Sequence, residues 1–151
     1  MVSRKVIDDF VAQKSLAICG VSRDGKKGFG NIARKALASR GYTLHLVHPE
    51  VDTIDGQACA RALSDVASKV GGVLLVTKPE ITRKLVQEAA EAGIKRVWMQ
   101  QGAEDPEAIR FCEEHGIALV HGHCILMFLE KPGFPHAAHR FVKRITGSLP
   151  V

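Results

Sequence analysis

A chain of 151 residues with a formal charge of +5 has room for one well-packed domain and too little for two independent cores. Its composition, 46% hydrophobic and 25% charged, is that of an ordinary globular protein and excludes a collagen-like, low-complexity or disulfide-dominated chain. The positive charges are scattered rather than massed in one block, which suits an anionic ligand and gives no pointer to nucleic acid.

In chain order, Val6, Ile7, Phe10 and Val11 predict a short leading helix. SLAICGV (15–21) reads as a buried strand, followed by a loop rich in Gly and Lys. Residues 30–40 predict a helix with Ile32, Ala33, Ala36 and Leu37 facing inward and Gly41 as its stop. YTLHLVHP (42–49) is the second strand, GQACARAL holds a short edge strand, and SDVASKV a short helix. GGVLLVT (71–77) is a third long apolar strand. Pro79 then opens a helix to about residue 92 with Ile81, Leu85, Val86 and Ala89 inward. KRVWMQ (95–100) is a strand with Trp98 in the core, 105–116 a helix between Pro106 and Gly116, and IALVHGH (117–123) the last strand.

Strands apolar on both faces, alternating with helices, predict a mostly parallel sheet covered on both sides: a doubly wound, Rossmann-like three-layer α/β/α fold. We expect one domain over 1–151 with a C-terminal extension from about residue 125. Within that extension, 136–146 is amphipathic, with Ala137, Phe141, Val142 and Ile145 on one side. The cysteines, Cys19, Cys59, Cys112 and Cys124, form no CxxC pair, and the charged start MVSRKVIDDF is no signal peptide. No apolar run reaches the length of a membrane span. The expectation is a cytoplasmic protein with reduced thiols.

In such a sheet the ligand site lies beyond the carboxyl ends of the strands, where the strand order reverses. The first loop, GVSRDGKKGFGN (20–31), combines glycines, Ser22, cationic Arg23, Lys26 and Lys27, and a following helix N-terminus, which is the chemistry that holds a phosphate. A nicotinamide dinucleotide calls for G-x-G-x-x-G and an acid after the second strand. Here Ser22 stands in place of the second glycine, and His48-Pro49 begins the turn where the acid is expected. Both features favour coenzyme A, whose ribose is phosphorylated, with Lys26 and Lys27 expected to read that phosphate. Glu50, just beyond, keeps an NAD(H)-binding oxidoreductase or redox sensor as the alternative.

At these loops the chain resembles the stand-alone CoA-binding domain proteins, relatives of the N-terminal domain of the succinyl-CoA synthetase alpha subunit. The matching segments are GVS (20–22) with GFGN (28–31), GYTLHLVHP (41–49), IDGQACARAL (54–63), VTKPE (76–80), VWMQQGA (97–103) and the tail from 123. The resemblance implies that Gly20, Val21 and Ser22, with Gly28, Gly30 and Asn31 at the helix start, hold the pyrophosphate. It implies that Val47, His48 and Pro49 flank the adenosine, and that Thr77, Lys78 and Pro79 line the opposite side. Gln101, in the loop after the strand 95–100, could bond a ligand or satisfy loop backbone, and is a further candidate. Three departures stand out: His48 where the family often has Asn, Lys78 where it often has Arg, and Gly122-His123 where it often has Asp-Arg before Cys124.

HGHC (121–124) lacks a fourth metal ligand nearby, so no metal is expected. Cys124 reads as a buried strand-end thiol rather than a nucleophile, since no partner base is assigned by sequence. With no complete catalytic set, the expected activity is that of a non-catalytic CoA or acyl-CoA binding module. It would act as a regulator or carrier, as a homodimer or with another protein.

Overall fold

The computed structural model describes residues 2–129. Its helices are α1 (Arg4–Val11), α2 (Gly28–Ala38), α3 (Pro79–Glu91) and α4 (Pro106–Glu114). The strands are β1 (Ser15–Cys19), β2 (Thr43–Val47), β3 (Thr53–Ile54), β4 (Gln57–Ala60), β5 (Gly72–Leu75), β6 (Arg96–Met99) and β7 (Ala118–Val120). They form one seven-stranded sheet in the order β3-β4-β2-β1-β5-β6-β7. Every pairing is parallel except β3 with β4. Without the β3 hairpin strand the order is that of the doubly wound dinucleotide fold, and the reversal falls at β1.

The period-2 alternation of each strand builds two cores. Leu16, Ile18, Leu44, Leu46, Leu74 and Trp98 face one layer with α1 and α2. Ala17, Cys19, Val47, Val73, Leu75, Val97 and Met99 face the other with α3 and α4. Trp98 is fully buried, as the sequence predicts, and its indole Nε1–H donates to His123 O (3.1 Å).

Three expectations are corrected. Helix α2 buries Ala33 and Leu37 as expected but turns Ile32 outward, 56% exposed, and buries Gly30, Asn31 and Arg34 in its place. Its phase is set by Gly30, where a Cβ would lie 2.6 Å from Gly20 O, so this face must lie against the turn after β1. Helix α3 buries Thr82, Val86 and Ala89 but leaves Ile81 41% exposed. The short helix expected in SDVASKV is two 3-10 turns, at Leu63–Asp65 and Ala67–Lys69. At the start of the expected extension, residues 125–128 form a 3-10 turn whose Ile125 and Phe128 are in the core. The amphipathic stretch 136–146 lies outside the described residues.

Helices α3 and α4 are joined by Arg83, which pairs with Asp105 (2.8 Å) and with Glu107 (3.4 Å). Asp105 caps α4 by accepting from Ala108 N (2.9 Å), and the Arg83 guanidinium donates to both its oxygens (3.1 and 2.8 Å). The Arg83 hydrogen bond first, then that of Ala108 N, holds the Asp105 carboxyl below the usual carboxylate range. A folded-state pKa below the unfolded one contributes stability that is fully present above about pH 4 and is lost as pH falls through the folded value. Asp105→Asn keeps a cap and loses the charge. We expect it to lower the urea midpoint at pH 7, with the gap to the parent closing below pH 4. A gap unchanged down to pH 2 would remove the ion pair from the account.

Candidate functional site

Where β1, β2 and β5 end, their backbones part and leave a cleft of about 340 Å³. Its floor is Cys19, Gly20 and Val21. One wall is Val47, His48, Pro49, Arg61 and Ala62, and the other is Thr77 with Ile81, Lys84, Leu85 and Glu88 of α3. Several sequence-predicted residues therefore meet here: Gly20, Val21, Val47, His48, Pro49 and Thr77. The outward-turned Ile81 and half-buried Leu85 lie across from Val47, Pro49 and Ala62, so the cleft has an apolar slot suited to a flat ring.

The first loop lies at the edge of this cleft, and its construction depends on an acid the sequence reading passed over. Asp24 Oδ1 accepts from Ser22 Oγ (3.1 Å), Lys26 N (2.8 Å) and Lys27 N (3.0 Å). The amides of Lys27 and Lys26 are the main cause of an Asp24 pKa below the ordinary range. The loop thus supplies its own anion to two of its amides. The amides at the start of α2, those of Gly28, Phe29 and Gly30, have no intrahelical partner.

Asn31 is 1% exposed and committed to the loop: Nδ2 donates to Lys27 O (2.8 Å), and Oδ1 accepts from Arg34 Nε (3.2 Å). Arg34 also reaches Gly25 O (3.2 Å) and Asp55 Oδ2 (3.3 Å), tying the loop to the β3–β4 hairpin. Lys26 and Lys27 are exposed and do not line the cleft. Lys78 caps α3 with its backbone and Pro79 is the first residue of that helix; both lie outside the cleft lining. Gln101 is exposed on the far side of β5, donating to Gly122 O (3.4 Å).

His48 keeps the turn that an Asn at this position would make. Its Nδ1 accepts from Glu50 N (3.0 Å) and Val51 N (3.3 Å), as an Asn side-chain oxygen does in such turns. The ring proton is therefore assigned to Nε2. Glu50, the acid that kept NAD open, pairs with Arg23 (3.1 Å).

The thiols differ sharply in setting. Burial pushes Cys19, on the cleft floor, up to about 12, helped by the charge of Glu88; burial does the same to Cys112. Cys124 is half-buried, at the start of the 125–128 turn rather than at a buried strand end. Among the described residues, no three His, Cys, Asp or Glu side chains gather to hold a metal, and no helix is long and apolar enough to cross a membrane.

Arg61, Lys84 and Glu88 were missed by sequence reasoning. A signal was present: Ile81, Lys84, Leu85 and Glu88 are spaced i, i+3, i+4, i+7, one stripe of α3.

Fold and cleft together define a Rossmann-type domain with a ligand crevice at its switch point. The chain belongs to the CoA binding domain family, whose sequence model matches residues 14–130. A conserved hypothetical protein from Pyrococcus furiosus is 34% identical over 77% of this chain and 99% of its own, with a TM-score of 0.72. A hypothetical protein from Pyrococcus horikoshii OT3 is 28% identical over 83% of this chain and 88% of its own, with a TM-score of 0.75. An acetyl-coenzyme A synthetase from Ca. Korarchaeum cryptofilum shares the fold, at 21% identity and a TM-score of 0.58, over 70% of this chain and 25% of its own.

Proposed function

We propose that the cleft binds coenzyme A or an acyl-CoA and that the chain is a non-catalytic module, a regulator or carrier in the cytoplasm. The observation that carries this reading is the composition of the cleft. An apolar slot at the end of β2 adjoins a turn where two glycines let backbone meet backbone, next to the free amides of a helix N-terminus. A ring system linked to phosphates fits that sequence of environments. At about 340 Å³ the cleft is near the small end of ligand pockets, roughly 300–1,000 Å³, so it suits the adenosine half. The pantetheine arm then runs outside it along the strand ends.

Two further observations support the reading. Glu50 is engaged by Arg23, which weakens the case for a free ribose diol and hence for NAD. The Cys19 thiol on the cleft floor stays protonated at neutral pH, which suits a binding site better than a nucleophilic one.

Isothermal titration under reducing conditions, with CoA, acetyl-CoA, NAD and NADH in turn, tests the proposal. We expect micromolar binding of CoA and no heat from NAD. Binding of NADH alone would overturn it.

A further inference from the structure

We propose that Lys84 is the residue that distinguishes coenzyme A from its 3′-dephospho form in this cleft. The inference rests on the cofactor reading above and adds a specificity-determining residue to it.

Arg61 and Lys84 are the Lys and Arg side chains that line the cleft, and they stand on opposite walls. They are not equivalent. Arg61 donates from Nη1 to Pro49 O (2.8 Å) and from Nε and Nη2 to Asp52 Oδ1 (3.3 and 2.7 Å). Its charge is offset by Asp52, and its fork is used to brace the loop after β2 against the end of β4. Lys84 has no carboxylate within 4.0 Å among the described residues, although Glu88 sits one turn further along the same face. Its ammonium thus has no carboxylate in direct contact, and helix phase directs it to the wall that carries Ile81 and Leu85.

A ring seated between Val47, Pro49, Ala62 and those two aliphatics places its attached ribose beside this ammonium. A free ribose diol gains little from a second cation, whereas a ribose phosphate brings two negative charges to it. Lys26 and Lys27, the sequence-based candidates for this role, lie outside the cleft, and their amides are turned to Asp24. His48 adds one neutral donor at Nε2, which does not discriminate by charge.

The test is titration of the parent chain, Lys84→Met and the double variant Lys26→Ala/Lys27→Ala with CoA and with 3′-dephospho-CoA, at low salt. A charge-assisted contact in a partly open cleft predicts a preference for CoA on the order of tenfold in the parent. Lys84→Met removes the charge and keeps the stem that flanks the slot, so affinity for 3′-dephospho-CoA stays and the preference disappears. The double variant retains the preference. Lys84 is exposed, so thermal unfolding of the variant should match the parent and exclude misfolding as the cause. Equal affinity of the parent for both ligands, or a preference that survives in Lys84→Met, overturns the assignment of Lys84 and leaves the cofactor reading standing. Failure of the parent to bind either ligand overturns the cofactor reading and this inference with it.

Discussion

Gly20→Ala should lose about 4 kcal/mol or more of stability, and any folded fraction should not bind CoA. Gly20 has φ +102°, and a Cβ built there lies 2.0 Å from Val76 O and 2.5 Å from Val76 C. Both are backbone atoms of the segment leaving β5. They cannot swing aside, because Val76 N donates to Cys19 O (2.9 Å) immediately before the clash. An alanine must therefore pry β5 from β1 at the point where the cleft opens, in a φ region that itself costs about 1–2 kcal/mol for an L-residue. Against a typical total of roughly 5–15 kcal/mol, that threatens the fold. Gly41→Ala is the control: φ is +85° there but the added methyl meets nothing within 4 Å, so only the backbone strain remains. Urea unfolding of the two variants, read at unchanged slope, measures the difference. A Gly20→Ala midpoint equal to that of Gly41→Ala would show that the strand ends part freely.

Trp98→Ala should cost about 3–5 kcal/mol, for a different reason. The indole fills the α1/α2 core between the rings of Phe10 (5.4 Å) and Phe128 (5.8 Å), and it joins β6 to the 121–128 corner by both packing and a hydrogen bond. Removing it leaves a cavity beside Phe10 and Phe128, in a close-packed core that cannot collapse far. Trp98→Phe keeps most of the packing and orphans His123 O, which predicts a smaller loss of about 1–3 kcal/mol. Because both variants remove the single tryptophan of the sequence, urea unfolding followed by far-UV circular dichroism measures the two losses. If Trp98→Phe proves as unstable as Trp98→Ala, the hydrogen bond rather than the volume dominates.

The parallel sheet and its layers were legible because runs such as Leu16–Cys19 and Val73–Leu75 are apolar at successive positions, which only a sheet covered on both faces requires. Helix phase was less so. Hydrophobic periodicity chose Ile32 for the inner face of α2, but the true determinant is a missing side chain at Gly30 and a buried guanidinium at Arg34, neither of which carries hydrophobic weight. The same blindness hid Lys84, since it entered the cleft through the phase of α3. Arg61 was hidden by topology: it borders the cleft only because β4 lies next to β2. The hairpin itself left a readable trace in Asp55-Gly56. Both residues have positive φ (51° and 77°), as a two-residue turn between antiparallel strands requires.

That small hairpin bears on how the molecule behaves in a crowd. The sheet ends on one flank at β3, two residues long, and on the other at β7, three residues long, so far as residues 2–129 are concerned. Fibre-forming strand stacks draw on segments of roughly six residues with continuous unpaired backbone. A sheet whose interior strands are strongly apolar is hazardous when its margins are long; here each margin breaks off before a second chain can find a register. The blunt margins guard the folded protein against polymerising strand by strand.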